Sequence, residues 1–155
     1  MDQVSERYRP HEVEATVAEY WETVDAYAAT KAAHREDPTL YFLDGPPYTN
    51  GEPHMGHAWN KSLKDCYIRY YRMTGHRVLD RPGWDMYGLP IETQVEAKLG
   101  FENKQDIERH GMEAFIEECR DYAEEYLGIL EAAFVELGVW MDWENPYKTL
   151  TPEYM

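Results

Sequence analysis

The stretch DGPPYTNGEPHMGHAWNK, residues 44–61, decides the fold that we predict for the chain around it. The apolar run LYFL, residues 40–43, comes directly before it and predicts a buried strand. Residues 45–56 contain three glycines and three prolines, which neither a helix nor a paired strand accommodates, so we predict a loop. From His57 onward, apolar residues recur at helical spacing as far as Gly75, a residue type that often ends helices. The predicted order is strand, glycine-rich loop and helix.

The start of this helix is a predicted phosphate site. His54 and His57 flank Gly56 at the first turn, where unpaired backbone N–H groups and the helix dipole favour an anion. Imidazole donates hydrogen bonds to phosphate oxygens, and Gly56 leaves room for a flat ring over the backbone. A motif as short as H-x-G-H also occurs as surface or capping histidines, and taken alone it leaves that alternative open.

A second strand is predicted at 76–80, and Arg81-Pro82-Gly83 ends it. A strand, a helix and a strand without a hairpin turn predict a right-handed parallel βαβ unit. Ligands of parallel sheets bind beyond the carboxyl ends of the strands. The loops 44–57 and 81–90 are both predicted to lie at that edge.

Helical spacing of apolar residues predicts that much of the remaining chain is α-helical. We predict one amphipathic helix over 11–29, packed on the body through its apolar stripe, and then a charged connection to Pro38. The later predicted elements are a helix over 90–99, a short helix capped by Asn103, a helix of about six or seven turns that Gly138 ends, and a strand over 139–143.

The composition limits the class of protein. The 155 residues suffice for one domain, and no apolar run is long enough to span a membrane. Cys66 and Cys119 lie far apart, so we expect packed thiols and neither a disulfide nor a zinc site. The net charge is −15, yet residues 41–90 carry 5 acidic and 6 basic residues, so the acidity falls on the flanks. Solvated acidic faces on a protein of a halophile would account for this charge, and a moderately acidic mesophilic protein is the alternative.

Several segments together resemble one family. DGPPYTNG, HMGH, NKSLKD, RYYRMTGHRV and RPGWDMYGLPIE, followed by GVWMDWENPYKTLTPEYM, are similar to the first half of the catalytic domain of class I aminoacyl-tRNA synthetases, and among these to the isoleucine enzymes. The isoleucine pattern is matched at 46–48, 50–51 and 88–92. Tyr87 departs from the pattern, because the family commonly has histidine there.

The resemblance implies an α/β fold, namely the first half of a Rossmann-like parallel-sheet nucleotide-binding fold with an N-terminal helix and a long amphipathic helix. Residues 1–40 would be an N-terminal helical extension, and residues 41–155 the first half of the catalytic domain, ending where the editing insertion would begin. The lysine-rich KMSKS-type loop of the second half does not occur in the sequence. We therefore expect the chain to be a fragment.

The function implied is ATP-dependent activation of isoleucine to the aminoacyl-adenylate and its transfer to tRNA(Ile), in a cytoplasmic enzyme that we expect to be monomeric. His54 and His57 would be catalytic, and Asp85 would bind the substrate ammonium. Mg²⁺ would be held mainly by the phosphates of ATP. The further residues implied are Pro47, Tyr48, Thr49, Asn50, Gly51 and Gly56 for the nucleotide, and Gly45 and Pro46 for isoleucine.

Three alternatives stay open at this point. The chain could come from a valine or leucine synthetase, whose catalytic domains carry the same histidine motif. It could be a free-standing HxGH nucleotidyltransferase, although such enzymes lack the GWD-x-x-GLP segment found at 83–90. It could also be a nucleotide-binding module without catalytic activity.

Overall fold

The computed structural model of the protein describes residues 7–152 and 154. Helices α1 and α2 precede strand β1, helix α3 connects β1 to β2, and three helices follow the short strand β3. The bounds are α1 Pro10–Thr23, α2 Ala26–Ala33, β1 Thr39–Leu43, α3 Met55–Met73, β2 Arg77–Arg81, β3 Gly83–Trp84, α4 Leu89–Leu99, α5 Lys104–His110, α6 Met112–Glu136 and β4 Tyr147–Lys148.

The strand–helix–strand prediction is confirmed. β1 and β2 pair in parallel, with Leu40 opposite Val78 and Leu43 opposite Arg81. α3 begins at Met55, two residues before the predicted start, because His54 already acts as its N-cap. Gly75 follows its end with φ +81°, a conformation in which glycine is favoured. The parallel pair with its connecting helix agrees with a partial Rossmann-like fold.

The prediction that β1 is buried was wrong. Tyr41 is 80% exposed and Leu43 is 67% exposed. Within the described residues β1 has one ladder partner, β2, so its other edge and one of its faces stay open. An apolar strand sequence indicates a surface suited to burial, but the covering element must come from elsewhere in the structure.

The single helix predicted over 11–29 is also wrong, because two helices occupy this region. Asp25 separates them with φ 46°, and its carboxylate accepts a hydrogen bond from the backbone N–H of Ala28. No residue of α1 is buried, so its apolar stripe is not core. The predicted charged connection is shorter than expected, because α2 continues to Ala33.

The strand predicted over 139–143 does not form. Two of its backbone groups bond to side chains: the N–H of Trp140 donates to Asp65, and the carbonyl of Val139 accepts from the indole of Trp143. Instead, the short strand β4 follows and pairs in parallel with β3, so that Gly83 lies opposite Tyr147. The sequence analysis predicted neither of these two short strands.

The core lies where α6 crosses α4 and β3. α6 is the predicted long helix, and its buried residues follow the predicted helical spacing: Phe115, Tyr122, Ala123, Leu127, Leu130 and Phe134. Ile91 and Val95 of α4 and Trp84 of β3 pack against them. The predictions for α4 and α5 are confirmed, including the Asn103 cap, whose side chain accepts from the N–H of Gln105.

α3 has an unusual distribution of side chains. Its buried residues are Lys61, Ile68 and Arg72, whereas most of its large apolar side chains, among them Trp59 and Leu63, are exposed. Cys66 is exposed as well, so the expectation of a packed thiol was wrong there, while Cys119 is half-buried. None of the helices in the described part of the chain has the length and apolar character needed to cross a membrane.

Candidate nucleotide and substrate site

The two histidines cap the first turn of α3. Nδ1 of His54 accepts a hydrogen bond from the backbone N–H of Gly56 at 3.1 Å, and Nδ1 of His57 accepts from the backbone N–H of His54 at 3.4 Å. This is the geometry of a capping box, with imidazole nitrogens in place of oxygens. Both histidines therefore cap the helix, which the sequence analysis named as an alternative to phosphate binding.

Capping fixes the tautomer of both rings. A nitrogen that accepts a hydrogen bond carries no proton, so the hydrogen-bond pattern assigns the neutral form with the proton on Nε2 to each ring. The rings stack with centroids 3.9 Å apart and planes 18° apart. Each ring therefore has an Nε2–H donor that the capping bonds do not use, and capping is compatible with anion binding.

The charge state of His57 agrees with this assignment. Burial lowers the pKa of His57, and the nearby His54 and Lys61 lower it further. His57 is half-buried and edge-on to the ring of Phe134, with centroids 6.1 Å apart. Near neutral pH the ring therefore remains a neutral donor.

Gly56 allows the His54 ring to fold back on the helix start. A Cβ atom at this position would lie 2.9 Å from Cε1 of His54, closer than side chains normally approach. The space above Gly56 is thus filled by a protein ring in this structure. The role of Gly56 in adenine binding stays a prediction.

The two loops predicted to share one edge of the sheet are joined by backbone hydrogen bonds. The N–H of Asp85 donates to the carbonyl of Pro47 at 2.9 Å, and the N–H of Thr49 donates to the carbonyl of Asp85 at 3.0 Å. The ladder places Tyr48 opposite Asp85. The prediction that both loops lie together is confirmed.

The carboxylate of Asp85 lies in a partly desolvated polar setting. Burial raises its pKa, while contacts from the side chains of Tyr48 and Thr149 and from the backbone N–H of Tyr87 act in the opposite direction. The contact with the N–H two residues ahead is typical of an Asp that stabilises a turn. Asp85 therefore has a local structural contact as well as a position beside the loop 45–51.

Asp44, immediately before the loop, is the centre of a buried ion network. It is 2% exposed and accepts from the ammonium groups of Lys61, in a very short contact, and Lys64 at 2.5 Å. Lys64 also donates to the carbonyl of Gly45 at 3.0 Å. The network fixes the end of β1 and the start of the loop to the middle of α3.

Lys61 is surrounded by aromatic rings. Its Nζ lies 4.9 Å from the ring centroid of Phe134 and 5.8 Å from those of Trp84 and Trp143. Burial lowers the pKa of Lys61, whereas Asp44 raises it. The ring faces and the carboxylate both favour the charged form, which offsets part of the cost of desolvation.

The comparisons with known proteins are consistent with this arrangement. Residues 16–155 match the model of the family "tRNA synthetases class I (I, L, M and V)". The chain belongs to this family. It is 58% identical over 155 residues to an isoleucine–tRNA ligase of Haloquadratum walsbyi, covering 100% of the chain and 15% of that relative.

Other relatives bear the same name. The isoleucine–tRNA ligase of Haloarcula marismortui is 60% identical over 152 residues, which are 98% of the chain and 14% of that protein. The isoleucine–tRNA ligase of Methanoregula boonei is 48% identical over 155 residues, which are 100% of the chain and 14% of that protein. This synthetase chain thus spans about one-seventh of the length of these relatives.

A solved structure supports the fold. The ternary complex of Agrobacterium radiobacter K84 agnB2 LeuRS with tRNA and LeuAMS resembles this chain with a TM-score of 0.67 and 23% sequence identity, over 96% of the chain and 17% of that protein. The α/β class I fold predicted for this synthetase segment is confirmed.

The structure brings most of the predicted site residues of the synthetase segment onto one edge of the sheet. Tyr48 is exposed, whereas Thr49 is fully buried, and its hydroxyl has no hydrogen-bond partner within the described residues. The carbonyl of Asn50 accepts from the hydroxyl of Tyr122 at 3.3 Å, so α6 holds the far end of the loop. The described part of the chain contains no group of three or more His, Cys, Asp or Glu residues that could hold a metal ion.

Two residues near the C-terminus were missed by the sequence analysis. The hydroxyl of Tyr147 donates to the carbonyl of Asp44, and its ring lies directly on Gly83, where a side chain could not fit. The hydroxyl of Thr149 accepts from the N–H of Met86 at 2.9 Å. A glycine following Pro82 was the available signal for a close approach, but nothing in the sequence indicated that Tyr147 makes it.

Proposed function

We propose that the chain is part of an isoleucine–tRNA ligase, an enzyme that activates isoleucine with ATP and transfers the acyl group to tRNA(Ile). The observation that carries this proposal is the 46–60% identity, over 98–100% of the chain, to relatives that are named isoleucine–tRNA ligase. The geometry of the histidine motif and of Asp85 supports the same activity.

In the activation step, the carboxylate of isoleucine attacks the α-phosphorus of ATP, and pyrophosphate leaves. Such a displacement depends on positioning and on stabilising charge at the phosphate oxygens. We propose that the Nε2–H groups of His54 and His57 supply donors for those oxygens. The support is that both Nδ1 atoms are occupied by capping bonds and the pKa of His57 is lowered, so neutral rings donate without losing a proton.

The nucleotide would lie along the loop after β1, against residues 47–51 and Gly56. Mg²⁺ would enter with the ATP phosphates, and we assign no protein ligand to it. The contact that Lys64 makes with the Gly45 carbonyl supports a loop held in place before the nucleotide binds. Preorganisation of this kind lowers the cost of binding.

The amino acid would bind at the junction of the two loops. Gly45 and Pro46 would line its pocket, and Asp85 would receive its ammonium group. The support is the backbone ladder between Pro47 and Asp85, which brings a carboxylate to the loop that follows β1. An opposite charge in a partly desolvated setting is what recognition of an ammonium group requires.

Three features of the whole protein belong to the proposal. Residues 1–40 would form an N-terminal helical extension and 41–155 the first half of the catalytic domain. The complete enzyme would be a monomer and would act in the cytoplasm. Within the described residues, the hydrogen bond from Tyr27 to Asp80 supports an extension docked on the catalytic segment.

Pyrophosphate exchange by the full-length protein tests the proposal, with isoleucine, valine and leucine compared at equal concentration. Isoleucine should give the largest kcat/KM. Valine should follow about 10- to 200-fold lower, because an apolar pocket discriminates weakly against one missing methylene. A larger kcat/KM for valine or leucine would assign the chain to another member of the family, and the absence of exchange with all three would contradict an activating enzyme.

A further inference from the structure

A cavity lies at the end of α3 opposite to the histidines. It has a volume of about 260 Å³ and is formed by the end of α2, the end of α3 and the start of β2. Arg72, which lines it, is 18 residues beyond His54, which at about 1.5 Å per residue corresponds to about 27 Å along the helix. The cavity is therefore separate from the candidate nucleotide site.

The walls of this cavity are basic, although the chain has a net charge of −15. Among the described residues that line it, every ionisable side chain is basic, and the others are apolar or, in Thr30, neutral. The ionisable residues that line it are Lys31, His34, Arg35, Arg72, His76 and Arg77. A concentration of positive charge in a strongly acidic protein marks this place as suited to an anion.

Part of this charge is balanced by neighbouring carboxylates. Asp80 accepts from Nη2 of Arg72 at 2.5 Å, Asp37 bonds to Nδ1 of His34 at 2.7 Å, and Asp142 lies 3.4 Å from Nζ of Lys31. Within residues 7–152 and 154, the guanidinium groups of Arg35 and Arg77 make no ion pair. Both residues are exposed at the rim, where an incoming anion can reach them.

Arg72 has unmet hydrogen-bonding capacity. It is 4% exposed, and its Nε and Nη1 atoms have no acceptor within the described residues. Buried N–H groups of a charged side chain are costly to leave unpaired, and most are satisfied in folded proteins. Arg72 thus lines the cavity as a buried cation whose guanidinium group is only partly paired within the described residues.

We propose that this cavity binds a phosphate group. Guanidinium groups match the oxygen geometry of phosphate and bind it through paired hydrogen bonds. The cavity is lined by three arginines, of which Arg72 is buried and Arg35 and Arg77 are exposed. The phosphate belongs either to a free phosphate compound or to an RNA backbone. Both sources present the same tetrahedral oxyanion to the same guanidinium groups.

Equilibrium dialysis of radiolabelled orthophosphate against the full-length protein tests this site, at constant potassium concentration and without ATP, because ATP is itself a phosphate compound. Orthophosphate held at the nucleotide site is the same in every variant, so the difference between variants reports on the cavity. The variants are Arg35→Gln/Arg77→Gln, which removes the two rim cations, and Arg109→Gln, an exposed arginine of α5 outside the cavity, as the matched control. The double variant should weaken phosphate binding about tenfold or more, and the control should bind like the unmodified protein. Equal binding by all three proteins would overturn the proposal.

Two further arms complete the test. Displacement of orthophosphate by a short single-stranded RNA at low micromolar concentration would assign the site to an RNA backbone, whereas displacement by phosphate compounds alone would assign it to a free phosphate. Arg72→Lys keeps the charge toward Asp80 but removes the guanidinium fork, and it should lower affinity in a protein that still melts cooperatively. These measurements do not depend on amino-acid activation, so their failure would leave the proposed function untouched.

Discussion

α3 buries two positive charges, and their environments differ. Near the histidines, the ammonium of Lys61 meets Asp44, and three aromatic rings surround it. Near Gly75, the guanidinium of Arg72 pairs with Asp80, but its Nε and Nη1 atoms have no acceptor within the described residues. The first network is satisfied within the protein and holds the loop 45–56, whereas the second joins the N-terminal helices to the sheet.

Each buried pair fixes a different part of the backbone. Replacing a buried ion pair by apolar residues often costs nothing in stability, so we attribute the role of these two pairs to the geometry that they enforce. Asp44 ends β1 and precedes Gly45, and any shift there moves the loop that carries Pro46. Asp80 lies in β2 and accepts from the hydroxyl of Tyr27, which belongs to α2.

The largest expected loss of stability comes from breaking the network near the histidines. Asp44→Asn leaves Lys61 as a buried cation without a carboxylate, so we expect the free energy of unfolding of the 155-residue chain to fall by about 3 to 5 kcal/mol. Urea denaturation measures it. Adding Lys61→Met should recover much of the loss, because the buried charge is then absent. If the free energy of unfolding of Asp44→Asn lies within about 1 kcal/mol of that of the unmodified chain, Asp44 and Lys61 do not form a buried ion pair.

A smaller loss is expected at the other network. Tyr27→Phe removes the hydroxyl that donates to Asp80 at 3.0 and 3.2 Å, but Arg72 still pairs with that carboxylate. We expect a loss of about 1.5 kcal/mol in the same denaturation experiment. Tyr20→Phe, at a side chain that is 62% exposed, is the matched control and should have no effect. An equal change in the free energy of unfolding for the two variants would show that the Tyr27 hydroxyl does not stabilise the fold through Asp80.

These two networks show what the sequence could predict and what it could not. Glycine and proline positions predicted the loop 45–56, and helical spacing predicted α3 to α6, because both depend on local geometry. The burial of Lys61 and Arg72 on α3 was not predictable, because the apolar residues Trp59 and Leu63 indicated that the opposite face would be inside. Which face of a helix is buried depends on surfaces that distant parts of the chain provide.

The site was predictable to the extent that a motif lies within one segment. His54, Gly56 and His57 are close in sequence, so their proximity followed from the start of a helix. Asp85 was placed beside the loop by the parallel order of strands. Tyr147 and Thr149 act across more than 60 residues of sequence through the two-residue strand β4, which leaves too short a pattern to recognise.

The smallest expected effect concerns the cap of α3. His57 has a lowered pKa in the folded state, so the unfolded chain binds more protons and stability rises with pH. The contribution is fully present above the ordinary value of 6.5 and is lost as the pH falls toward the folded-state pKa. His57→Gln keeps an acceptor for the His54 N–H but does not titrate.

The difference in free energy of unfolding between the unmodified chain and His57→Gln, measured from pH 8 to pH 5, isolates this effect. The unmodified chain should lose stability relative to the variant on acidification, by about 1 kcal/mol or less, the usual range for one helix cap. A difference that does not change with pH would show that the pKa of His57 is not lowered in the folded chain.

The affinity of the full-length protein for isoleucine after Asp85→Asn tests the central claim, that the two joined loops form an amino-acid activation site. The substitution removes the charge but keeps hydrogen-bond acceptors for Tyr48 and the N–H of Tyr87. Calorimetry should show isoleucine binding weakened by about 30-fold or more, consistent with about 2 to 5 kcal/mol for a desolvated charge pair, with ATP affinity and melting temperature unchanged. Asp121→Asn, on the exposed face of α6, should change none of these. Isoleucine affinity that stays within about threefold after Asp85→Asn, or roughly 0.65 kcal/mol, would contradict the claim and leave Asp85 as a turn-stabilising residue.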